Sequence, residues 1–133
     1  MQEFKPVKEF KVFGLKTASQ RIARKFLDLL ESQFTLRNTE DTLMLKFPGD
    51  YASALFIHIN HLNKCLKDET GKTTSQHIVN RKMQEAKLLL QQSNLPIETI
   101  GNMHSYVAYF NRSFRNHTGV SPGRFRKLVK DLS

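Results

Sequence analysis

Hydrophobic positions recur along this chain at helical spacing, in runs set off by turn residues. Ile22, Phe26, Leu29, Leu30 and Phe34 predict an amphipathic helix over residues 19–34, with Ser19 as its N-cap. Residues 1–18 alternate Phe or Val with Lys and read as a flexible arm, a short edge strand or the remnant of an upstream region. A connector over 35–49 ends in the turn pair Pro48-Gly49, and Leu43, Leu45 and Phe47 alternate within it as in a short extended piece. Asp50 can cap a short helix over 51–56. Ile59, Leu62 and Leu66 form the inner stripe of a helix over 58–69, stopped by Gly71. Thr73 and Gln76 have capping-box spacing and open a run from Ser75 to Gln92 without Gly or Pro. Val79, Met83, Ala86 and Leu90 share one face of that helix, whose length is about 27 Å. Pro96 starts a short helix to about Met103, and another spans 106–117 and stops at Gly119. Ser121-Pro122 is a cap-then-first-residue pair, with Phe125, Leu128, Val129 and Leu132 as the inner face of the last helix. The predicted fold class is all-α.

The pattern repeats. At an offset of 48 residues, Ile59 matches Val107, Leu62 matches Phe110, Leu66 matches Phe114, and Thr70-Gly71 matches Thr118-Gly119. The polar positions match too: Asn63 with Asn111, Lys64 with Arg112, and Lys67 with Arg115. Each of these helices follows a shorter one after a tight turn. The chain therefore reads as two helix-turn-helix units, at about 50–70 and 96–118, joined by one long linker helix over about 75–92. Asn, Lys and Arg on an outer face are donors suited to base edges and phosphates.

Charge sharpens this reading. Lys plus Arg number 21 against 12 Asp plus Glu, a net charge of +9, which attracts polyanions. The last stretch, 96–133, is the most basic. A hydrophobic share of 39% with 25% charged residues gives enough apolar surface for a core and argues against wholesale disorder. No apolar run approaches a transmembrane length, and residues 1–15 mix Lys and Glu with apolar residues, unlike a signal peptide. The single cysteine, Cys65, excludes a disulfide framework and a multi-cysteine metal site.

Other chemistry finds little purchase. Gly71-Lys72-Thr73 ends like a phosphate-binding loop, but Leu66 stands where that motif needs glycine and a helix precedes it in place of a strand. His58 and His61 lack a clustered third ligand, so no metal site is expected. His77, His104 and His117 are scattered and read as surface or packing residues. Cys65, beside the inner stripe, reads as a small buried hydrophobe. Arg81 stands four residues before Glu85 and reads as a structural brace. No nucleophile-base arrangement is present, so neither catalysis nor a cofactor is expected.

These residues resemble the DNA-binding domain of the AraC/XylS family of bacterial transcription regulators. The likeness runs from about Asp50 to Lys127. It begins with Tyr51-Ala52, Leu55, Asn60-His61-Leu62-Asn63-Lys64, Lys67 and Thr70-Gly71-Lys72. It continues through Arg81, Glu85-Ala86-Lys87 and Leu89-Leu90 on the linker helix. Its most specific piece is Tyr109-Phe110-Asn111-Arg112-Ser113-Phe114-Arg115, followed by Thr118-Gly119-Val120-Ser121-Pro122 and Phe125-Arg126. One departure is plain. The family's Ile-Ala and Leu-Gly-Phe turn is replaced by Ile100-Gly101-Asn102-Met103-His104-Ser105, about two residues shorter and without the turn glycine.

The resemblance implies a homeodomain-like pair of units over 19–133, each placing its second helix in a major groove of double-stranded promoter or operator DNA. Grooves on one face lie about 34 Å apart, a spacing that the linker helix plus the helix diameters can hold. One monomer would cover both, with a dimer arising through an N-terminal domain outside this chain. The base-edge candidates are Asn60, His61, Asn63 and Lys64 in the first unit, and Ser105, Ala108, Asn111 and Arg112 in the second; Lys67 and Arg115 are placed at phosphates. RNA polymerase is the implied protein partner, no membrane is involved, and the compartment is the bacterial cytoplasm, at the nucleoid. The first 49 residues are too few for a ligand-sensing domain, so the chain is a stand-alone regulator or a C-terminal fragment, the latter favoured by the lead-in helix at 19–34. The alternative is a helical interaction module whose basic faces bind an acidic protein.

Overall fold

The computed structural model describes residues 17–35, 45–104 and 107–132. Among them the regular structure is helical: α1 (Ala18–Thr35), α2 (Pro48–Ala54), α3 (Ile59–Thr70), α4 (Thr74–Gln92), α5 (Ile97–His104), α6 (Val107–Thr118) and α7 (Pro122–Asp131). The arm read over residues 1–16 and Leu43 of the extended piece lie outside the described residues. The chain divides into two compact units. The described residues of one are 17–32 and 47–76; those of the other are 33–35, 45–46, 77–104 and 107–132.

In the first unit, the cap of α1 is Thr17, not Ser19. The Thr17 Oγ1 accepts from the Gln20 N–H at 3.1 Å, and Gln20 Oε1 accepts from the Thr17 N–H at 3.2 Å. The reason is Gln20, three residues on, which completes a reciprocal box that Ile22 could not complete for Ser19. α2 begins at Pro48, earlier than the spacing predicted. Its first-residue proline has no N–H to leave unbonded. Asp50 acts from the third helical position, accepting from the Phe47 N–H at 3.0 Å. The α2 end closes with Phe56 N–H to Ser53 O and Ile57 N–H to Ala52 O, a Schellman pattern. It puts Phe56 at φ +59°, where glycine is the usual occupant, with 93% of its surface exposed. Phe26, Leu30, Tyr51, Ala52, Leu62, Cys65 and Leu66 are buried, and Phe26 meets Tyr51 edge-on at 5.3 Å. Burial first, and then the Asp50 carboxylate, push the Tyr51 hydroxyl above its ordinary range.

In the second unit, Met83, Ala86, Leu89 and Leu90 of α4 pack with Ile100, Met103, Phe110 and Phe114. The inward stripe of α4 keeps Met83, Ala86 and Leu90 of the predicted one, but not Val79. Ile78 is buried while Val79 is 39% exposed, because Ile78, Lys82, Ala86 and Leu89 share the turn-by-turn register that faces the core. Lys82 is tolerated there since its Nζ donates to Lys46 O at 3.0 Å. Arg81 lies over the Phe34 ring at 4.3 Å and pairs with Glu85 at 3.4 Å, the bracing role read from its spacing. His104 is buried and stacked between Phe34 and Phe110. The predicted inner face of α7 holds only in part. Pro122 is buried and Phe125 meets Phe114 edge-on at 5.4 Å, but Leu128 and Leu132 are 43% and 87% exposed. α7 is held by its long cations instead: Arg126 Nε donates to Leu90 O and Lys130 Nζ to Ser93 O, at the carbonyl end of α4.

Candidate nucleic-acid interface

α3 is capped by His58, whose Nδ1 accepts from the Asn60 N–H at 3.0 Å. That role as N-cap was not read from sequence, where the residue figured as half of a metal pair. Among the described residues no three His, Cys, Asp or Glu side chains gather closely enough to hold a metal ion. Leu62, Cys65 and Leu66 face inward, so Asn60, Lys64 and Lys67, at i, i+4 and i+7, share the outer face and are exposed. His61 is exposed at its flank, with Nε2 3.9 Å from the Cys65 Sγ. Lys64 Nζ lies 3.1 Å from Asp68 Oδ2, a solvent-exposed i,i+4 pair. Asn63, expected at base edges, is half-buried. Its Oδ1 accepts from both the Thr74 N–H at 3.1 Å and the Thr74 Oγ1 at 2.6 Å. It thereby ties the end of the turn after α3 to the start of α4.

α6 buries Phe110 and Phe114 and turns Ala108, Asn111, Arg112 and Arg115 outward, all exposed. Ser105 lies outside the described residues. Residues 55–58 separate α2 from α3; α5 ends at His104 and α6 begins at Val107. The close approach of the latter pair depends on Gly101. A Cβ there would stand 3.1 Å from Phe110 Cδ2. Tyr109 is 57% exposed, and the Arg112 guanidinium lies 5.8 Å from its ring centroid.

α3 and α6 end alike. Thr70 Oγ1 donates to Leu66 O, and Thr118 Oγ1 to Phe114 O. Gly71 and Gly119 follow at φ +81° and +88°, in the left-handed region that glycine enters freely. Beyond α6 the surface is hollowed. An open concavity of about 530 Å3 is lined by Asn111, Arg112 and Arg115 of α6, Ser121, Pro122 and Gly123 at the start of α7, and Ile97.

A family model described as "Helix-turn-helix domain" matches residues 51–128, more than half of the chain. The chain belongs to the AraC-type helix-turn-helix family. Among curated relatives of this AraC-type chain, an uncharacterised HTH-type transcriptional regulator, YfiF of Bacillus subtilis, is 39% identical over 83 residues, 62% of this chain and 26% of the relative. The chain spans well under two thirds of the curated relatives it matches. Among solved structures, the C-terminal domain of AraT, a response regulator from Geobacillus stearothermophilus, aligns with a TM-score of 0.69 at 22% identity, covering 84% of this chain and 88% of that one. The DNA-binding domain of AdpA, a global transcriptional factor solved with a target DNA, aligns at 0.63 and 15% identity, covering 88% and 96%. These likenesses establish the AraC-type fold. Among the described residues no helix is long and apolar enough to cross a membrane.

Proposed function

We propose that this chain is the DNA-binding region of a bacterial transcription regulator and recognises double-stranded promoter DNA by sequence. The observation that carries this reading is the repeat of one outer face on two helices. Asn60, His61, Lys64 and Lys67 on α3 are exposed, and so are Ala108, Asn111, Arg112 and Arg115 on α6, each over a buried apolar stripe. Such faces supply donors for base edges and cations for phosphates. Ser105, the remaining base-edge candidate of the second unit, belongs to the same proposal. The family, the HTH-type regulator relatives and the DNA complex of a like-folded domain support it. Residues 19–133 act as the DNA-binding domain, without enzymatic activity, in the bacterial cytoplasm. Contact with RNA polymerase, and dimerisation through a domain outside this chain, belong to the same proposal. Selection of duplexes from a random pool, followed by mobility shift against random competitor, tests it. The expected result is one recovered sequence bound at least about a thousandfold more tightly than the competitor. Equal binding to both refutes sequence-specific recognition.

A further inference from the structure

The two copies of the repeat differ in what holds their polar side chains. In the first, Asn63 Oδ1 is taken by the Thr74 N–H and hydroxyl, and Lys64 is paired with Asp68. At the corresponding places in the second, 48 residues on, stand Pro122 and Asn116. Proline offers neither an N–H nor a hydroxyl, and asparagine carries no charge to pair with Arg112. The first substitution removes the donors that hold Asn63, and the second removes the exposed carboxylate that pairs with Lys64. Neither Arg112 nor Arg115 has a carboxylate partner among the described residues.

The second copy's groups converge. Asn111, Arg112 and Arg115 line one concavity of about 530 Å3, facing the start of α7. There the Arg124 N–H is taken by Ser121 Oγ at 3.2 Å and the Phe125 N–H by Ser121 O at 2.9 Å. Pro122 has no N–H, so the donor of that first turn left to face a ligand is the Gly123 N–H, beside a residue with no side chain to cover it. Two guanidinium groups, a side-chain amide and a backbone N–H present donors and positive charge to one space. That is the complement of a phosphate, which accepts through several oxygens at once.

We infer that this concavity seats a single backbone phosphate of bound DNA, gripped by Arg112 and Arg115. The inference rests on the DNA-binding reading above and moves Arg112 from the base edges to the backbone. A tethered phosphodiester suits the site better than a free anion. The lining cations are exposed, so a lone ion would gain little over water, whereas a duplex held elsewhere delivers its phosphate at high local concentration.

The test uses the full chain on a duplex selected from a random pool, with each phosphate in turn replaced by a neutral methylphosphonate. One linkage is expected to weaken wild-type binding about ten- to a hundredfold. In the double variant Arg112→Gln, Arg115→Gln, the same replacement should change affinity by less than about threefold, while other sensitive linkages keep their effect. Thermal melts of both proteins should coincide, since both arginines are exposed. If the duplex binds selectively but no linkage loses its effect in the double variant, the pocket is wrong and the DNA reading survives. If Arg112→Gln relaxes base preference and leaves every linkage effect intact, Arg112 reads a base instead. If no duplex is preferred, both fall. In a second arm, inorganic phosphate replaces chloride at constant ionic strength while the Gly123 amide resonance is followed. No saturation below about 10 mM supports the backbone source; saturation below about 1 mM assigns the site to a free phosphorylated ligand and overturns it.

Discussion

Asn63 and Asn111 hold the same place in the two copies of the repeat, so the same truncation should have opposite consequences. Asn63→Ala removes the acceptor for two donors of Thr74, a residue with no exposed surface. Each buried donor left without a partner costs about 1–3 kcal/mol. Water entering at the half-exposed Asn63 side offsets part of this, so a net loss of about 2–4 kcal/mol is expected. For a chain of this size that is a fall in Tm on the order of 6–15 °C. Asn111→Ala removes an exposed side chain with no such role, and stability should change by less than about 0.5 kcal/mol. Urea and thermal unfolding, followed by circular dichroism, measure both. Binding to a selected duplex supplies the other axis. Asn111→Ala should weaken it at temperatures where both variants are folded, and Asn63→Ala should leave its sequence preference unchanged. A Thr74→Val background removes the hydroxyl's share, so the cost of Asn63→Ala there should drop by about 1 kcal/mol. Equal destabilisation by the two alanines, or a changed base preference in folded Asn63→Ala, would refute the division of roles.

The remaining expectations are separable in the same way. Phe56→Gly should stabilise by about 0.5–1 kcal/mol in urea unfolding, because it relieves a left-handed backbone and gives up almost no buried surface; destabilisation would show that the exposed ring packs in solution. Gly101→Ala should destabilise by about 1–2 kcal/mol despite alanine's better helix propensity, since Phe110 is hemmed in by His104 and Phe114 and cannot yield to the new Cβ; a stabilised variant would contradict that packing. Phe110→Ala should cost about 3–5 kcal/mol at this buried site. If six to eight phosphates are contacted, log affinity against log salt should have a slope of about −5 to −7, shrinking by about one in Arg115→Ala without a change in base preference; a slope near zero would count against DNA.

Periodicity made the helices legible, and cap chemistry made their ends legible, wherever both halves of a cap were local. Thr73 with Gln76, Ser121 before Pro122, and Gly71 and Gly119 were all readable because each bond spans a few residues. The misreadings share a different cause. Val79 was placed inward and Lys82 was not, because the sequence pattern rewards an apolar residue and cannot see Lys46 O waiting for an ammonium. Leu128 and Leu132 look like an inner face until Arg126 and Lys130 are found doing the holding, through carbonyls more than thirty residues away. The bond of Asn63 was hidden in the same way, for its partner Thr74 is eleven residues on and across a turn. Yet the repeat contained the missing information. Aligning the copies sets Thr74 against Pro122 and Asp68 against Asn116, and the first of these differences separates a half-buried asparagine bound within its own protein from an exposed one. An internal repeat thus provides its own control: where the shared residues keep the fold, the changed partners mark where matching side chains differ in what holds them.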